Sequence, residues 1–113
     1  MKRQLPTITL FATICLLTLS FGVQASSLAR GQEIAEAVCA SCHGVDGNLV
    51  LADDYPVIGG QHADYLVVAL QAYRSGARDN AIMGPFARDL SDRDIRDLAA
   101  WFSRQDSPLT EMP

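Results

Sequence analysis

Cys39-Ala40-Ser41-Cys42-His43 places two thiols and an imidazole within five residues, and no other stretch limits the fold as tightly. On a helical turn, residues three and four apart share a face. Cys39 and Cys42 therefore reach one partner from the same side, and His43, four residues past Cys39, brings an imidazole nitrogen to it. This is the spacing of a c-type haem attachment site, with two thioethers to the porphyrin vinyl groups and a proximal histidine on the iron. Other readings fit less well. A thioredoxin-like pair needs a βαβ pattern, which is missing. A zinc site needs a second ligand pair, and beyond residue 25 the chain offers only His62 and no further cysteine. A disulfide across so short a loop would constrain little of the unfolded chain.

The first 25 residues read as a secretory signal peptide. Lys2 and Arg3 precede an apolar stretch from Ile8 to Val23, and Val23-Gln24-Ala25 offers a small-residue cleavage site. The apolar run is short for a membrane span, which takes about 20 residues. Cys15 lies in mid-stretch behind Ile14 rather than a small residue, which argues against lipid attachment. Cleavage after Ala25 predicts a periplasmic protein with no integral membrane span and one domain, residues 26–113, of 88 residues. A domain of this size is short of core and calls for a staple or a cofactor; a buried haem supplies that apolar mass. Losing Lys2 and Arg3 leaves seven arginines and no lysine against 13 acidic side chains, a surface unsuited to nucleic acid.

The pattern is helical throughout. Gly31, Ile34, Ala35, Val38 and Cys42 share one face, with Gln32, Glu33 and Glu36 on others, so the haem motif ends an amphipathic helix. Gly44 and Asp46-Gly47-Asn48 stop it. Leu49 to Gly60 reads as an irregular loop. Gln61 to Ser75 reads as a second helix, with Leu66, Ala69, Leu70 and Tyr73 inward and Gly76 as its stop. Arg78 to Leu90 carries few helix signals, and Gly84-Pro85 predicts a turn. Ser91 then caps a third helix, with Asp94 completing a capping box. Ile95, Leu98, Ala99 and Phe102 point inward, while Asp92, Arg93, Arg96 and Asp97 face water. From Asp106 the tail, with Pro108 and Pro113, is expected to fray. The expected architecture is all-α, three main helices around a haem, with long loops explained by the ligand.

A second axial ligand comes from a short list. Met112 is one residue from the chain's end. His62 follows a Gly-Gly-Gln turn at a helix start, where an exposed or capping role fits best. Met83 sits beside Gly84-Pro85, which can hold its thioether; the plainer alternative is a space-filling core methionine. Met83 is the choice.

These segments together resemble class I bacterial cytochromes c, most closely the cytochrome c4 and c553 group. The resemblance rests on Cys39 to Gly44, Gly59-Gly60-Gln61-His62-Ala63-Asp64-Tyr65-Leu66 and Arg74-Ser75-Gly76-Ala77-Arg78. It extends to Met83, Leu90-Ser91-Asp92, Asp94-Ile95 and Leu98-Ala99-Ala100-Trp101-Phe102. It implies crossed first and last helices, with Gly31 admitting Trp101. Pro56 looks like the family proline whose carbonyl takes the proton of the ligand histidine, and Arg78 matches a basic position near the haem propionates. Two departures stand out. Cytochromes c4 carry two haem domains in tandem, and this chain has room for one. Ile82 also precedes a lone Met83 where the family often pairs methionines.

With His43 and Met83 both on the iron, no site is open to substrate, and outer-sphere electron transfer is the chemistry that remains. The expectation is an electron carrier, not an enzyme, with one covalent haem c and a positive potential. It would shuttle between a membrane reductase and a terminal oxidase or other acceptor. Two alternatives stay open: a haem subunit docked to a dehydrogenase or oxidase, and a peroxide- or nitric-oxide-binding protein if Met83 is labile. Partners should present a neutral or basic face, with Asp53-Asp54 either a contact or a solvated loop. A monomer is expected, and a homodimer is left open.

Overall fold

Gly31 sets how the helices meet. A computed structural model describes residues 27–110; the stretch expected to be a signal peptide, with Cys15, and Met112 and Pro113 in the tail, lie outside the described residues. The first helix, α1, is followed from residue 27 to 43. The last, α4 (Asp92–Phe102), crosses it so closely that a Cβ on Gly31 would lie 2.1 Å from the Asp97 carbonyl oxygen and 3.0 Å from the Trp101 Cβ. Only a residue without a side chain admits that crossing. Ile34, Ala35, Leu66, Leu98, Ala99 and Phe102 form the core around it. Trp101 is half-buried, and its indole N–H donates to the Val45 carbonyl at 2.9 Å.

Asp97 departs from the expected pattern. Its spacing puts it on the water-facing side, yet it is only 6% exposed. The crossing explains this, since α1 lies directly over the Asp97 backbone. Arg93 stands 3.6 Å from the buried carboxylate, one helical turn back.

Helix α1 is not uniformly α-helical. Ala35–Cys39 forms a π-turn, marked by the Ala40 amide donating to the Ala35 carbonyl five residues back, before Ala40–His43 completes the helix. Gly44, at φ 76°, ends it. Helix α2 spans Ala63–Ser75 and stops at Gly76 in the left-handed conformation.

A fourth helix, α3 (Met83–Arg88), occupies the segment expected to be a turn. The Asn80 side-chain oxygen accepts from the amides of Ile82 and Met83 at 2.9 and 2.8 Å, which satisfies donors that a helix start leaves unpaired. Pro85 then falls in the first turn, where a missing N–H costs nothing. The Gly-Pro pair opens a helix here rather than preventing one.

Ser91 caps α4 as expected. Its hydroxyl accepts from the Asp94 amide at 3.1 Å, and Asp94 accepts from the Ser91 amide at 3.2 Å, closing a capping box. The tail is not frayed as far as it is followed. Pro108–Thr110 forms a 3₁₀ turn, and Ser107 is buried against the loop at Gly59. The described residues contain no strand, and none of their helices is long and apolar enough to cross a membrane.

Candidate haem site

One cleft collects most of the residues singled out by sequence. Cys39, Cys42 and His43 from the end of α1, Pro56 from the loop, Arg78, and Met83 at the start of α3 all line it. Apolar side chains supply the rest, among them Leu66 and Leu70 from α2, Phe86 from α3 and Leu98 and Phe102 from α4.

The π-turn explains how the motif faces this cleft. On an unbroken α-helix His43, twelve residues past Gly31, would sit about 120° around from it. One extra residue in a turn rotates everything beyond it back by about 100°. His43 thus rejoins the inward stripe of Gly31, Ile34 and Ala35, and it is buried at 7% exposure.

The protonation of His43 follows from its partner. Its Nδ1 lies 3.2 Å from the Pro56 carbonyl oxygen, and that oxygen only accepts, so Nδ1 carries the proton and Nε2 keeps its lone pair. Burial pulls the imidazole below its usual pKa, partly offset by the bond to Pro56. A neutral imidazole with a free Nε2 is what metal ligation requires. Tyr55 flanks it, with ring centroids 6.2 Å apart.

Neither cysteine is in a disulfide. Burial, followed by the neighbouring Cys42, pushes the Cys39 thiol up to about 11, so it stands protonated at neutral pH. Two free thiols, a neutral imidazole and a thioether on one apolar cleft form a donor set that fits a covalently held haem.

Arg78 is exposed at the cleft margin. Its guanidinium lies over the Tyr73 ring, 4.7 Å from the centroid, and donates to the Tyr65 hydroxyl at 3.5 Å. Both tyrosines line the cleft, and only Tyr73 was marked as inward by its spacing. His62 occupies the N-cap position of α2, is exposed, and does not line the cleft. Asp53 and Asp54 are exposed, and Asp54 reaches the cleft wall.

An all-helical fold whose first helix ends in Cys-x-x-Cys-His against an apolar cleft defines a class I c-type cytochrome. The family model described as Cytochrome c matches residues 28–105, and the chain belongs to that family. Membership implies one covalently bound haem c, and Cys39, Cys42 and His43 fit its attachment motif. Cytochrome c-554(548) of Halomonas halodenitrificans is 48% identical over 71 residues, covering 60% of this chain and 84% of that protein. A cytochrome c4 of Thiocapsa roseopersicina is 39% identical over 75 residues, 66% of this chain and 38% of the relative. The thiosulfate dehydrogenase electron acceptor of Stutzerimonas stutzeri is 37% identical over 105 residues, 86% of this chain and 47% of the relative. The chain therefore spans most of the first relative and less than half of the other two.

Proposed function

We propose that this chain is an exported one-electron carrier of the periplasm, with haem c held by Cys39 and Cys42 and the axial positions taken by His43 and Met83. The haem, when bound, supplies an iron that accepts and returns a single electron. The observation that carries the reading is the buried His43, its Nδ1 proton committed to Pro56 and its Nε2 free, in the same cleft as the Met83 thioether. Pro56 fixes the tautomer and makes His43 a better donor. A thioether ligand favours the reduced state. The apolar walls built by Leu66, Leu98 and Phe102 exclude water and disfavour added charge. Arg78 at the margin supplies a positive charge suited to a carboxylate such as a propionate.

With both axial positions filled, the carrier neither binds nor turns over a substrate; it passes electrons from a membrane reductase to a terminal oxidase or another acceptor. Residues 1–25 act as a cleaved leader, and the mature chain begins at Ser26; intact mass of the exported protein checks this directly. A second reading has specific support. One relative, from Chlorobaculum tepidum, is named as the cytochrome subunit of a sulfide dehydrogenase, and Val45, Leu49, Val50 and Leu51 are exposed aliphatics outside the cleft. On that reading the chain is a haem subunit held against a dehydrogenase, and it would co-purify with that enzyme rather than alone.

The deciding experiment is an optical spectrum of the exported protein, oxidised and then reduced. A weak far-red sulfur-to-iron charge-transfer band should mark the oxidised form and vanish in Met83→Ala. A haem spectrum lacking that band in the unmodified protein would overturn Met83 as a ligand. Peroxide turnover and ligand binding would then come first.

A further inference from the structure

Two loops meet at the His43–Pro56 hydrogen bond, and the C-terminal tail ties both of them. The first loop follows His43 directly: Gly44 ends α1 and the chain turns through Asp46-Gly47-Asn48. The second carries Pro56 and runs to Gly59-Gly60. They touch without intervening side chains, since a Cβ on Gly47 would lie 2.6 Å from the Gly59 nitrogen and one on Gly59 would lie 2.3 Å from the Asp46 carbonyl oxygen. The Ile58 and Gly59 amides both donate to the Gly47 carbonyl, at 2.8 and 3.1 Å.

Beyond α4 the tail folds back over this corner. At the end of α4 itself, the Gly60 amide donates to the Phe102 carbonyl at 2.8 Å. The Asn48 side-chain amide donates to the Asp106 carbonyl at 2.9 Å, which ties the first loop. The buried Ser107 hydroxyl donates to the Gly59 carbonyl at 2.5 Å, which ties the second. That same hydroxyl accepts from the Leu109 amide at 3.0 Å, so the 3₁₀ turn at Pro108–Thr110 fixes its direction. A Cβ on Gly60 would meet the Ser107 Oγ and the Thr110 Cγ2, each at 2.7 Å, so the tail lies directly on the corner.

We infer that the segment after α4 is a strap that holds the Pro56 carbonyl against His43, and that Ser107 is a positioning residue for the haem ligand. This rests on His43 being the proximal ligand. Gly59 is three residues from Pro56 in the same loop, so the tie at its carbonyl acts on the Pro56 carbonyl through a short stretch of backbone. Releasing the Gly59 carbonyl lengthens the time that the His43 Nδ1–H spends unbonded. A looser Nδ1–H makes His43 a poorer donor to the oxidised iron, and the midpoint potential rises.

The test uses the haem-loaded, reduced protein and follows solvent exchange of the His43 ring N–H by proton NMR. Ser107→Ala should speed that exchange about tenfold, the order of one lost net hydrogen bond, and raise the midpoint potential. Ser107→Thr, which keeps the hydroxyl, should stay within about twofold of the parent. If Ser107→Ala does not accumulate, Asn48→Ala cuts the other tie and should move the ring N–H in the same direction. Unchanged ring N–H exchange alongside faster Gly60 amide exchange would overturn the inference, because the strap would then hold the Gly59-Gly60 corner without reaching His43. A parent protein whose His43 ring protons show no haem-induced shift would instead overturn the ligand assignment, and the strap's role with it.

Discussion

Gly31 and Pro56 each act through the backbone, but in opposite senses: one by lacking a side chain, the other by its carbonyl. Gly31→Ala would drive a methyl to 2.1 Å from the Asp97 carbonyl oxygen, inside any contact distance, so α1 and α4 must separate. Overpacking of this kind costs about 1–3 kcal/mol. Thermal unfolding of the haem-loaded variant should show a clearly lower midpoint, and an unchanged one would mean that the helices do not cross at Gly31. Pro56 presents the reverse case. Its function toward His43 lies in an oxygen that every residue carries. Pro56→Ala should therefore leave the His43 ring N–H protected and lower stability by only about 0.4–1 kcal/mol, through a freer unfolded chain. Loss of ring N–H protection in that variant would show that the fixed proline backbone, and not the carbonyl alone, sets the bond.

At the level of elements, what was legible in the sequence was what is decided locally. Ser91 and Asp94 satisfy each other within one turn, so the start of α4 could be read from spacing. Gly44 and Gly76 stop helices by their own conformational freedom, at φ 76° and 79°. The attachment motif was legible for the same reason: its chemistry lies within five residues. Asp97 was not, because its burial depends on α1 arriving from 66 residues earlier in the chain. Helix α3 was missed because Gly84-Pro85 forms turns as readily as first helical turns, and Asn80's side chain decided between them. The π-turn left no mark on a count that assumes a constant period. It nevertheless places the site: deleting the exposed Ala37 removes the extra residue and leaves His43 about 20° from Gly31 on an unbroken α-helix, so the motif should still face the cleft. Haem per polypeptide should then stay near the parent level, and a steep fall would show that the π-turn does more than set this phase. Ser91→Ala should cost about 0.5–2 kcal/mol in unfolding free energy without altering the haem spectrum.

The α4 cap also carries a pH signature. The bond from the Ser91 side chain, with further help from the Ser91 amide and Arg30, holds the Asp94 carboxyl below its ordinary value. The unfolded chain thus takes up this proton at higher pH than the folded one. The stabilisation is complete above the ordinary carboxylate range, near about pH 4, and is lost as pH falls through the depressed folded value. Melting temperatures of the parent and of Asp94→Asn should differ at neutral pH and converge in acid. A gap that stays constant with pH would remove the carboxylate from the account.

For the whole molecule, charge and apolar surface make competing claims on how a partner docks. Residues 26–113 carry seven arginines against 13 acidic groups. The acid is unevenly spread: from residue 27 to 64, Arg30 stands against Glu33, Glu36, Asp46, Asp53, Asp54 and Asp64. Arg30 is itself engaged by Glu33 at 3.1 Å and Asp94 at 3.4 Å. The same region exposes Val45, Leu49, Val50 and Leu51. If the acidic groups steer the encounter, electron transfer with a basic partner should slow as salt rises, because the screening length falls from about 30 Å at 0.01 M to about 8 Å at 0.15 M. We expect at least a severalfold loss over that range, and a smaller slope in Asp53→Asn/Asp54→Asn, whose aliphatic neighbours are untouched. Stopped-flow reduction by a basic redox protein across an ionic-strength series measures both. A flat profile in the parent protein would assign docking to the aliphatic surface, and Leu51→Ser should then slow the reaction at every salt concentration.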